Sequence, residues 1–470
     1  MTILPLDPLA NATRESLRAF LGQCQQAARR DGRPKLASIS IAVDALDPLA
    51  VLESIFESGE KHFYAERPSL DSAIAGAEVV TACEVAGPDR FAAAQDFVDR
   101  TLADTIAVGD VNAPFGGPHF FCAFAFLDHT EDGEAFPAAT VFVPRWQVAR
   151  AGSRTTAVAN VLVAPDAPIE HAAERIWRAH QKFRGFEYPV AAAAEDAPVE
   201  WHTADEGDYP QAVRDALASI GRGEFRKIVL ARRRLVRATR ELHPLRMLNG
   251  LRQRFPDCYA FSVANGRGHS FIGATPERLV RVSSGNLETE ALAGSARRGI
   301  SAAEDAREGG ALLRSEKDRH EHQLVLDSIC RRLAPLGLDL QFTSVPTLRK
   351  LANVQHLQTE IRATLPAGVR VLDAVARLHP TPAVGGSPRE QAIGRIRELE
   401  GFPRGLYAGA LGWLNARGGG EFFVGLRSAL VEGNSARLFA GAGIVEGSSP
   451  EAELAETELK FRAMQEALQT

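Results

Sequence analysis

Closely spaced strand patterns in the second half of the chain constrain the fold more than any other feature of the sequence. Segments such as CYAFSVAN (258–265) and SFIGATPERLVRV (270–282) are rich in aromatic and β-branched residues, and short turns rich in glycine, asparagine or serine adjoin them. Two strands joined by so short a turn form an antiparallel hairpin, because a parallel crossover needs a dozen or more residues. The sequence therefore predicts an α+β fold with antiparallel sheets rather than alternating βαβ units.

Composition excludes several classes of partner. The 470 residues include 54 Lys and Arg side chains and 59 Asp and Glu side chains, a net charge of −5, so bulk charge indicates neither nucleic acid nor an anionic membrane as partner. No run approaches the roughly 20 apolar residues that a membrane helix needs, and no signal-peptide pattern is visible. Five scattered cysteines without metal-site spacing favour a reducing compartment. We therefore expect a cytoplasmic protein.

Helical patterns and one polar passage predict the organisation of the chain. Long helices are predicted at about 302–335 and 449–469, where apolar residues recur at helical spacing. An alanine- and glutamate-rich passage at 191–208 is the best candidate boundary. We therefore expect an N-terminal α+β region at 1–200 and a second domain at 205–468.

Two predicted helices offer carboxylates that could act together. Glu453, Glu456 and Lys460 lie on one face of the last helix, because residues three, four and seven apart are neighbours on a helix surface. The small residues directly before that helix allow a backbone to approach a ligand closely. Glu321 lies on the earlier helix. Each face alone is most often solvated, but together they could hold Mg²⁺, which usually takes only one or two protein carboxylates.

Three further charged residues lie in or beside predicted strands. Lys227 is in FRKIVLAR (225–232), and a lysine removed from water can act as a general base, although most strand lysines are solvated. Glu277 follows a Thr-Pro turn directly after a strand, where a surface carboxylate is the commoner outcome. Arg427 is predicted inside a strand, and an inward-facing arginine needs an anionic partner such as a carboxylate.

Nine segments in the second half of the chain together form a recognisable, ordered set. They are FRKIVLAR, FIGATPERL, ETEALAGSARRG, SEKDRHEHQLV, VQHLQTEI, LHPTPAVGGSP, RGLYAGALGW, FVGLRSAL and AGAGIVEGSSPEAELAETELK. Together and in this order they resemble the chorismate-utilising enzymes and, within that family, the isochorismate synthases. The resemblance extends over roughly residues 205–468, whereas the first 200 residues match only faintly, at 63–68 and 115–126. Nine ordered matches make a chance similarity implausible.

The resemblance implies a fold and a role for each charged residue. The fold would consist of large, mostly antiparallel sheets packed as a sandwich with helices outside. Lys227 would be the base that activates water, and Glu277 the acid that protonates the departing hydroxyl. Glu321 and Glu456 would hold Mg²⁺, with Glu453 nearby. The substrate's carboxylates would be bound by Arg427, Tyr407, Gly441 and Lys460, and its ring by Gly294, Ser295, His356 and Ala383.

The implied activity is the Mg²⁺-dependent isomerisation of chorismate to isochorismate, in a menaquinone or a siderophore pathway. Family members that add ammonia lack a lysine at the Lys227 position and depend on a glutamine-hydrolysing partner, so we expect no such partner, and a monomer or weak homodimer. Two alternatives stay open: a salicylate synthase, which also eliminates pyruvate, and a non-catalytic chorismate-binding subunit. Salicylate synthases tend to carry a polar residue where this chain has Ala383 and Val384, which favours isochorismate as the product.

Overall fold

The computed structural model describes residues 1–3, 13–55, 59–184, 199–351 and 354–468, and these ranges contain eleven α-helices, two short 3-10 helices (Pro68–Leu70 and Ala334–Leu336) and 22 strands. The helices are α1 (Arg14–Asp31), α2 (Pro48–Ile55), α3 (Arg90–Ala103), α4 (Ile169–Arg184), α5 (Tyr209–Gly221), α6 (Pro244–Arg254), α7 (Ala302–Arg314), α8 (Glu316–Leu333), α9 (Val371–Leu378), α10 (Arg389–Glu400) and α11 (Pro450–Leu468).

The strands are β1 (Thr2–Ile3), β2 (Lys35–Val43), β3 (Lys61–Arg67), β4 (Ser72–Val85), β5 (Thr105–Gly109), β6 (His119–Phe124), β7 (Ala139–Ala151), β8 (Arg154–Val163), β9 (Trp201–Glu206), β10 (Lys227–Ala238), β11 (Tyr259–Asn265), β12 (His269–Thr275), β13 (Arg278–Ser283), β14 (Asn286–Arg297), β15 (Gln341–Phe342), β16 (Thr347–Lys350), β17 (Val354–Thr364), β18 (Gly386–Ser387), β19 (Ala410–Asn415), β20 (Gly420–Val424), β21 (Ser428–Glu432) and β22 (Ser435–Val445).

Strand pairing is antiparallel except where β5 runs parallel to β1 and β2. One run of neighbours is β9-β10-β22-β21-β12-β11-β3-β4. From β4 the ladder continues through β7 to β6-β19-β20-β13-β14-β17. β3 pairs with β11 and β6 with β19, so strands from the first 200 residues are hydrogen-bonded to strands from the second half. The proposed division of the chain stays a prediction, and residues 191–198 of the candidate boundary at 191–208 lie outside the described residues.

Aromatic side chains pack between the two runs of strands. Phe261 of β11 lies 5.3 Å from Phe423 of β20, and Phe63 of β3 lies 4.7 Å from Phe121 of β6, measured between ring centroids. All four side chains are buried. Each fully buried phenylalanine contributes about 1.5–3 kcal/mol of transfer free energy, so this layer stabilises the sandwich. The expected antiparallel α+β sandwich is confirmed.

The chain departs from the predicted elements at two points near the candidate site residues. A single helix was expected at about 302–335, but Ser315 separates α7 from α8, and its Oγ accepts a hydrogen bond from the backbone N–H of Asp318 at 3.2 Å. The expected turn before Glu277 is present, since β12 ends at Thr275 and Glu277 lies between β12 and β13. Arg427 was expected within a strand, which is wrong: it lies between β20 and β21 with a φ of 46°, a left-handed conformation that ends the strand.

Among the described helices, none combines the length and the apolar composition that crossing a membrane would require.

Candidate active site

All the predicted site residues except Glu453 line one cleft between the sheets and helices α8 and α11. Those lining it are Lys227, Glu277, Gly294, Ser295, Glu321, His356, Ala383, Tyr407, Arg427, Gly441, Glu456 and Lys460. The cleft has a volume of about 180 Å³. A cavity of about 150 Å³ holds benzene, so this space suits one six-membered ring with short substituents.

The first residue of β10 provides the amine on one wall of the cleft. Lys227 is 7% exposed, and its Nζ donates a hydrogen bond to Glu321 Oε1 of α8 at 2.8 Å. A Cβ at Gly443, on the paired strand β22, would lie 3.2 Å from the Lys227 Cε, so the glycine leaves space for this side chain. Burial alone would raise the pKa of Glu321, but the charge of Lys227 and its hydrogen bond outweigh burial and lower that pKa.

Helix α11 provides a second amine and carboxylate. Ser449 caps the helix by accepting a hydrogen bond from the backbone of Ala452 at 3.1 Å. More than two turns further on, Lys460 Nζ donates to Glu456 Oε1 at 2.7 Å and to the Gly441 carbonyl at 2.8 Å. The middle of the helix is thereby joined to β22 at the cleft.

Glu453 differs from the other predicted site residues because it does not line the cleft. Burial raises the pKa of its carboxyl, a hydrogen bond with Ser448 opposes that rise, and the negative charge of Glu456 adds to it. Glu453 therefore lies close enough to Glu456 for their charges to interact, although it does not line the cleft.

Glu277 lies on another wall, in the turn between β12 and β13. Thr381 Oγ1 donates a hydrogen bond to Glu277 Oε1 at 3.3 Å. Burial raises the pKa of Glu277 to about 7, an effect that the Thr381 hydrogen bond opposes and the Glu290 charge increases. Below about pH 7 this carboxyl is consequently mainly neutral, whereas Glu321 is already ionised in neutral solution because its pKa is lowered.

The remaining wall offers donors for an anion. The Nη1 atom of Arg427 is buried and has no hydrogen-bond partner among the residues described. Buried donors are nearly always satisfied, so an unpaired guanidinium N–H beside a cleft suits a bound carboxylate. Tyr407 lies against Gly441, where a Cβ would be 2.7 Å from the Tyr407 hydroxyl, so glycine is required for this close approach.

A histidine lies opposite this anion-binding wall. Ser295 and His356 are cross-strand partners on β14 and β17, and Ser295 Oγ is 2.8 Å from His356 Nδ1. Burial lowers the pKa of His356 to about 3, so its imidazole is neutral at physiological pH. Gly294, at the bulge of β14, has a φ of 75°, which a glycine adopts without strain. Ala383 extends the wall with a small apolar side chain.

The carboxylates at the cleft fit a hard divalent cation that retains other ligands. Among the described residues, no three His, Cys, Asp or Glu side chains gather into a metal-binding group, so Glu321, Glu453 and Glu456 do not form a complete protein cage. Mg²⁺ does not need one, because it commonly takes one or two carboxylates with water and substrate oxygens. Glu321 and Glu456 line the same cleft and supply that donor type. Their assignment to Mg²⁺ stays a prediction.

Sequence reasoning missed several residues of the site. Thr381 donates a hydrogen bond to Glu277. Thr381 lies inside the segment LHPTPAVGGSP, but no local pattern indicated that it would contact Glu277. Phe439 also lines the cleft, and its ring is stacked on Tyr407 at 5.2 Å between centroids. Its β22 segment was predicted only as a strand.

Comparison with known proteins identifies the class to which this fold and cleft belong. The family described as "Chorismate binding enzyme" matches residues 21–469, so the chain belongs to that family, and the expected membership is confirmed. The match begins well before residue 205, so the likeness is wider than the nine segments indicated.

Named relatives give a narrower comparison. The chain is 37% identical to the salicylate biosynthesis isochorismate synthase of Pseudomonas aeruginosa, over 99% of this chain and 96% of that protein. It is 32% identical to the isochorismate synthase MenF of Bacillus subtilis, over 92% and 93% of the two chains. The solved structure of MenF, the menaquinone-specific isochorismate synthase of Escherichia coli, superposes with a TM-score of 0.78 at 26% identity, covering 95% of this chain and 99% of that one.

Proposed function

We propose that this protein is an isochorismate synthase, which converts chorismate to isochorismate. The observation that carries the proposal is that Lys227, on β10, and Glu277, between β12 and β13, line one ring-sized cleft. Relatives similar over nearly the whole chain bear that name, which supports the same activity here.

The charges of the cleft suit a small dicarboxylate. Arg427 offers an unpaired guanidinium donor, and Lys460 is held at the cleft by Glu456 and Gly441. Tyr407 adds a hydroxyl beside Gly441. Cationic and neutral donors together bind carboxylates well, because charge-assisted hydrogen bonds are about twice as strong as neutral ones. We assign the two carboxylates of chorismate to this wall.

Proton transfer would occur at two separate groups. Lys227, once it has lost its proton, would accept a proton from water as the water oxygen bonds to C2 of the ring. The ring double bonds shift, the C4–O bond breaks, and the leaving hydroxyl takes the proton of Glu277 and departs as water. One water is consumed and one released, so substrate and product are isomers. General base and general acid catalysis contribute about 10²–10⁴-fold each.

Glu321 and Glu456 would hold the Mg²⁺ that this family resemblance implies. When bound, the cation would supply positive charge that anchors a substrate carboxylate and draws electron density from the conjugated ring. Glu321 also bonds the amine of Lys227, which keeps the side chain pointing into the cleft. The residues of the chain thus orient both the base and the anionic end of the substrate.

Incubation of the purified protein with chorismate and Mg²⁺ tests the proposal. We expect a product of the same mass as chorismate with the nuclear magnetic resonance spectrum of isochorismate. Lys227→Ala should lower kcat by about 10²–10⁴-fold, since the general base is lost. Lys61→Ala is the matched control, because Lys61 is also a strand lysine paired with a glutamate, Glu84, but lies outside the cleft.

Two results would contradict the proposal. If chorismate stays unchanged at high enzyme concentration, the protein is a chorismate-binding protein without catalytic activity. Pyruvate released in step with chorismate consumption would instead identify a salicylate synthase. An enzyme-coupled pyruvate assay run on the same samples separates the two outcomes.

A further inference from the structure

Strand β10, which carries Lys227, lacks a strand neighbour along part of one edge within the described chain. β22 pairs with the other edge over almost the whole of β10. On this edge β18 pairs with the first two residues, and β9 pairs only from Arg233 onward. Between them, the carbonyl of Val229 and the amide of Ala231 need partners, since buried backbone groups are nearly always hydrogen-bonded.

A buried ion pair takes the place of the missing strand. Glu400 Oε1 accepts a hydrogen bond from the Ala231 amide at 2.6 Å, and Arg404 Nη2 donates to the Val229 carbonyl at 2.7 Å. The two side chains bond each other at 2.5 Å and are 0% and 2% exposed. Arg404 Nη1 also donates to the Val384 carbonyl at 2.8 Å. One guanidinium therefore joins β10 to the loop before β18.

The groups that Arg404 joins are walls of the cleft. Val229 and Val384 both line it, and Val229 lies two residues after Lys227 on the same face of the strand. The Arg404 Cζ also lies 5.8 Å from the centre of the Tyr407 ring, which lines the cleft as well. Arg404 touches none of the proposed reacting atoms, but it contacts three of the segments that shape the cleft.

We propose that Arg404, held by Glu400, is a positioning residue that fixes the separation between the strand of Lys227 and the loop of Ala383 and Val384. The inference rests on the proposed isochorismate synthase activity, in which Lys227 is the general base. A guanidinium is suited to this task because its rigid planar fork donates to several acceptors at fixed angles. A displacement of about 1 Å in a catalytic group can lower the rate by about a hundredfold.

Arg404→Lys is the decisive variant. It retains the positive charge, so Glu400 is not left as an unpaired buried carboxylate, but one ammonium cannot bond the carboxylate and both carbonyls in the geometry of the fork. We expect kcat to fall about tenfold or more while the chorismate dissociation constant changes less than about threefold. Arg397→Lys on α10 is the matched control, because Arg397 forms an exposed ion pair with Glu131; its kcat should equal that of the wild type.

Measurement of the thermal unfolding midpoint separates positioning from a purely structural role. If the Glu400–Arg404 pair serves only stability, Arg404→Lys should lower the unfolding midpoint but leave kcat at 25 °C within twofold of the wild type. That result would overturn the inference. If Arg404→Lys does not fold, the isosteric Glu400→Gln is measured in the same way, and a kcat within twofold of the wild type overturns the inference there. Wild-type protein without isomerase activity would instead overturn the proposed function.

Discussion

The cleft places the same side-chain type in two opposite electrostatic environments. Glu277 sits in a turn between two strands, where burial dominates and raises its pKa to about 7. Glu321 sits on a helix, where the Lys227 ammonium outweighs burial and lowers its pKa. At pH 6, therefore, the first carboxyl is mainly neutral and the second is ionised, although both line the same small space.

Because their protonation states differ, the two carboxyls can take different chemical roles in the cleft. A neutral carboxyl can donate a proton, and an ionised one can hold a cation or orient an amine. Pairs of titratable groups whose surroundings move their pKa values apart indicate which is the acid of a reaction. Burial by itself raises the pKa of both carboxyls, and the difference comes from the charged neighbour: Glu321 bonds an ammonium at 2.8 Å, whereas Glu277 bonds a neutral hydroxyl at 3.3 Å.

The largest effect is expected when the neutral carboxyl is removed. Glu277→Gln keeps the shape of the side chain but has no acidic proton, so kcat should fall by about 10²–10⁴-fold. Steady-state kinetics with chorismate measure the loss. Glu360→Gln is the control, because Glu360 lies on β17, the strand of His356, but is exposed and outside the cleft. A kcat for Glu277→Gln within about threefold of the wild type would break the comparison, since the two carboxyls would then not differ in function.

Removal of the ionised carboxylate, Glu321, should have a smaller effect, and the effect should be on the Mg²⁺ dependence of the rate. Glu321→Gln removes a negative charge from the cleft, so the Mg²⁺ concentration that gives half-maximal rate should rise by at least about tenfold. A Mg²⁺ titration at saturating chorismate measures this shift. The same titration on Glu277→Gln should give the wild-type midpoint, which would sharpen the distinction between the two carboxyls. An unchanged midpoint in Glu321→Gln would contradict the assignment of this residue to the metal.

The antiparallel class of the fold was predictable from the sequence because hairpin turns are local signals, whereas pairings such as that of β10 with β22 join distant parts of the chain. Hairpin patterns such as 258–282 predicted antiparallel pairing, and β11 and β12 pair in that way. The Thr-Pro pattern indicated the turn at Glu277, but the break at Arg427 was not predictable, because the nearby segments FFV (422–424) and ALV (429–431) have strand propensity. Tertiary packing overrides that propensity: at Gly425, a Cβ would lie 2.7 Å from the Leu406 carbonyl, so the backbone there is in close contact with another segment.

The site was predictable through the family resemblance more than through local chemistry. Each of Lys227, Glu277 and Arg427 alone had a surface role as its commoner explanation, and only nine ordered segments changed that balance. The ion pair of Glu400 and Arg404 escaped notice because a pair four residues apart on a helix end is usually a surface feature. Its importance comes from strand β10, about 170 residues earlier in the chain, and sequence spacing does not reveal such contacts.

The smallest predicted effect concerns the tuning of Glu277 by one hydrogen bond. Because Glu277 must be protonated to act as an acid, kcat/KM should fall as the pH rises above about 7, the pKa to which burial raises this carboxyl. The Thr381 hydroxyl stabilises the carboxylate form and so lowers that pKa. Thr381→Val removes the hydroxyl, and the alkaline limb of kcat/KM should move to higher pH by less than about one unit.

Thr381→Ser provides the matched control for this shift. Serine keeps the hydroxyl, so the alkaline limb should remain where the wild type has it, whereas valine has nearly the volume of threonine without the donor. Profiles of kcat/KM against pH for the three proteins, measured at one ionic strength, isolate the hydrogen bond from packing. A limb that moves to lower pH in Thr381→Val would mean that the titrating group is not Glu277, because loss of a donor cannot favour its carboxylate.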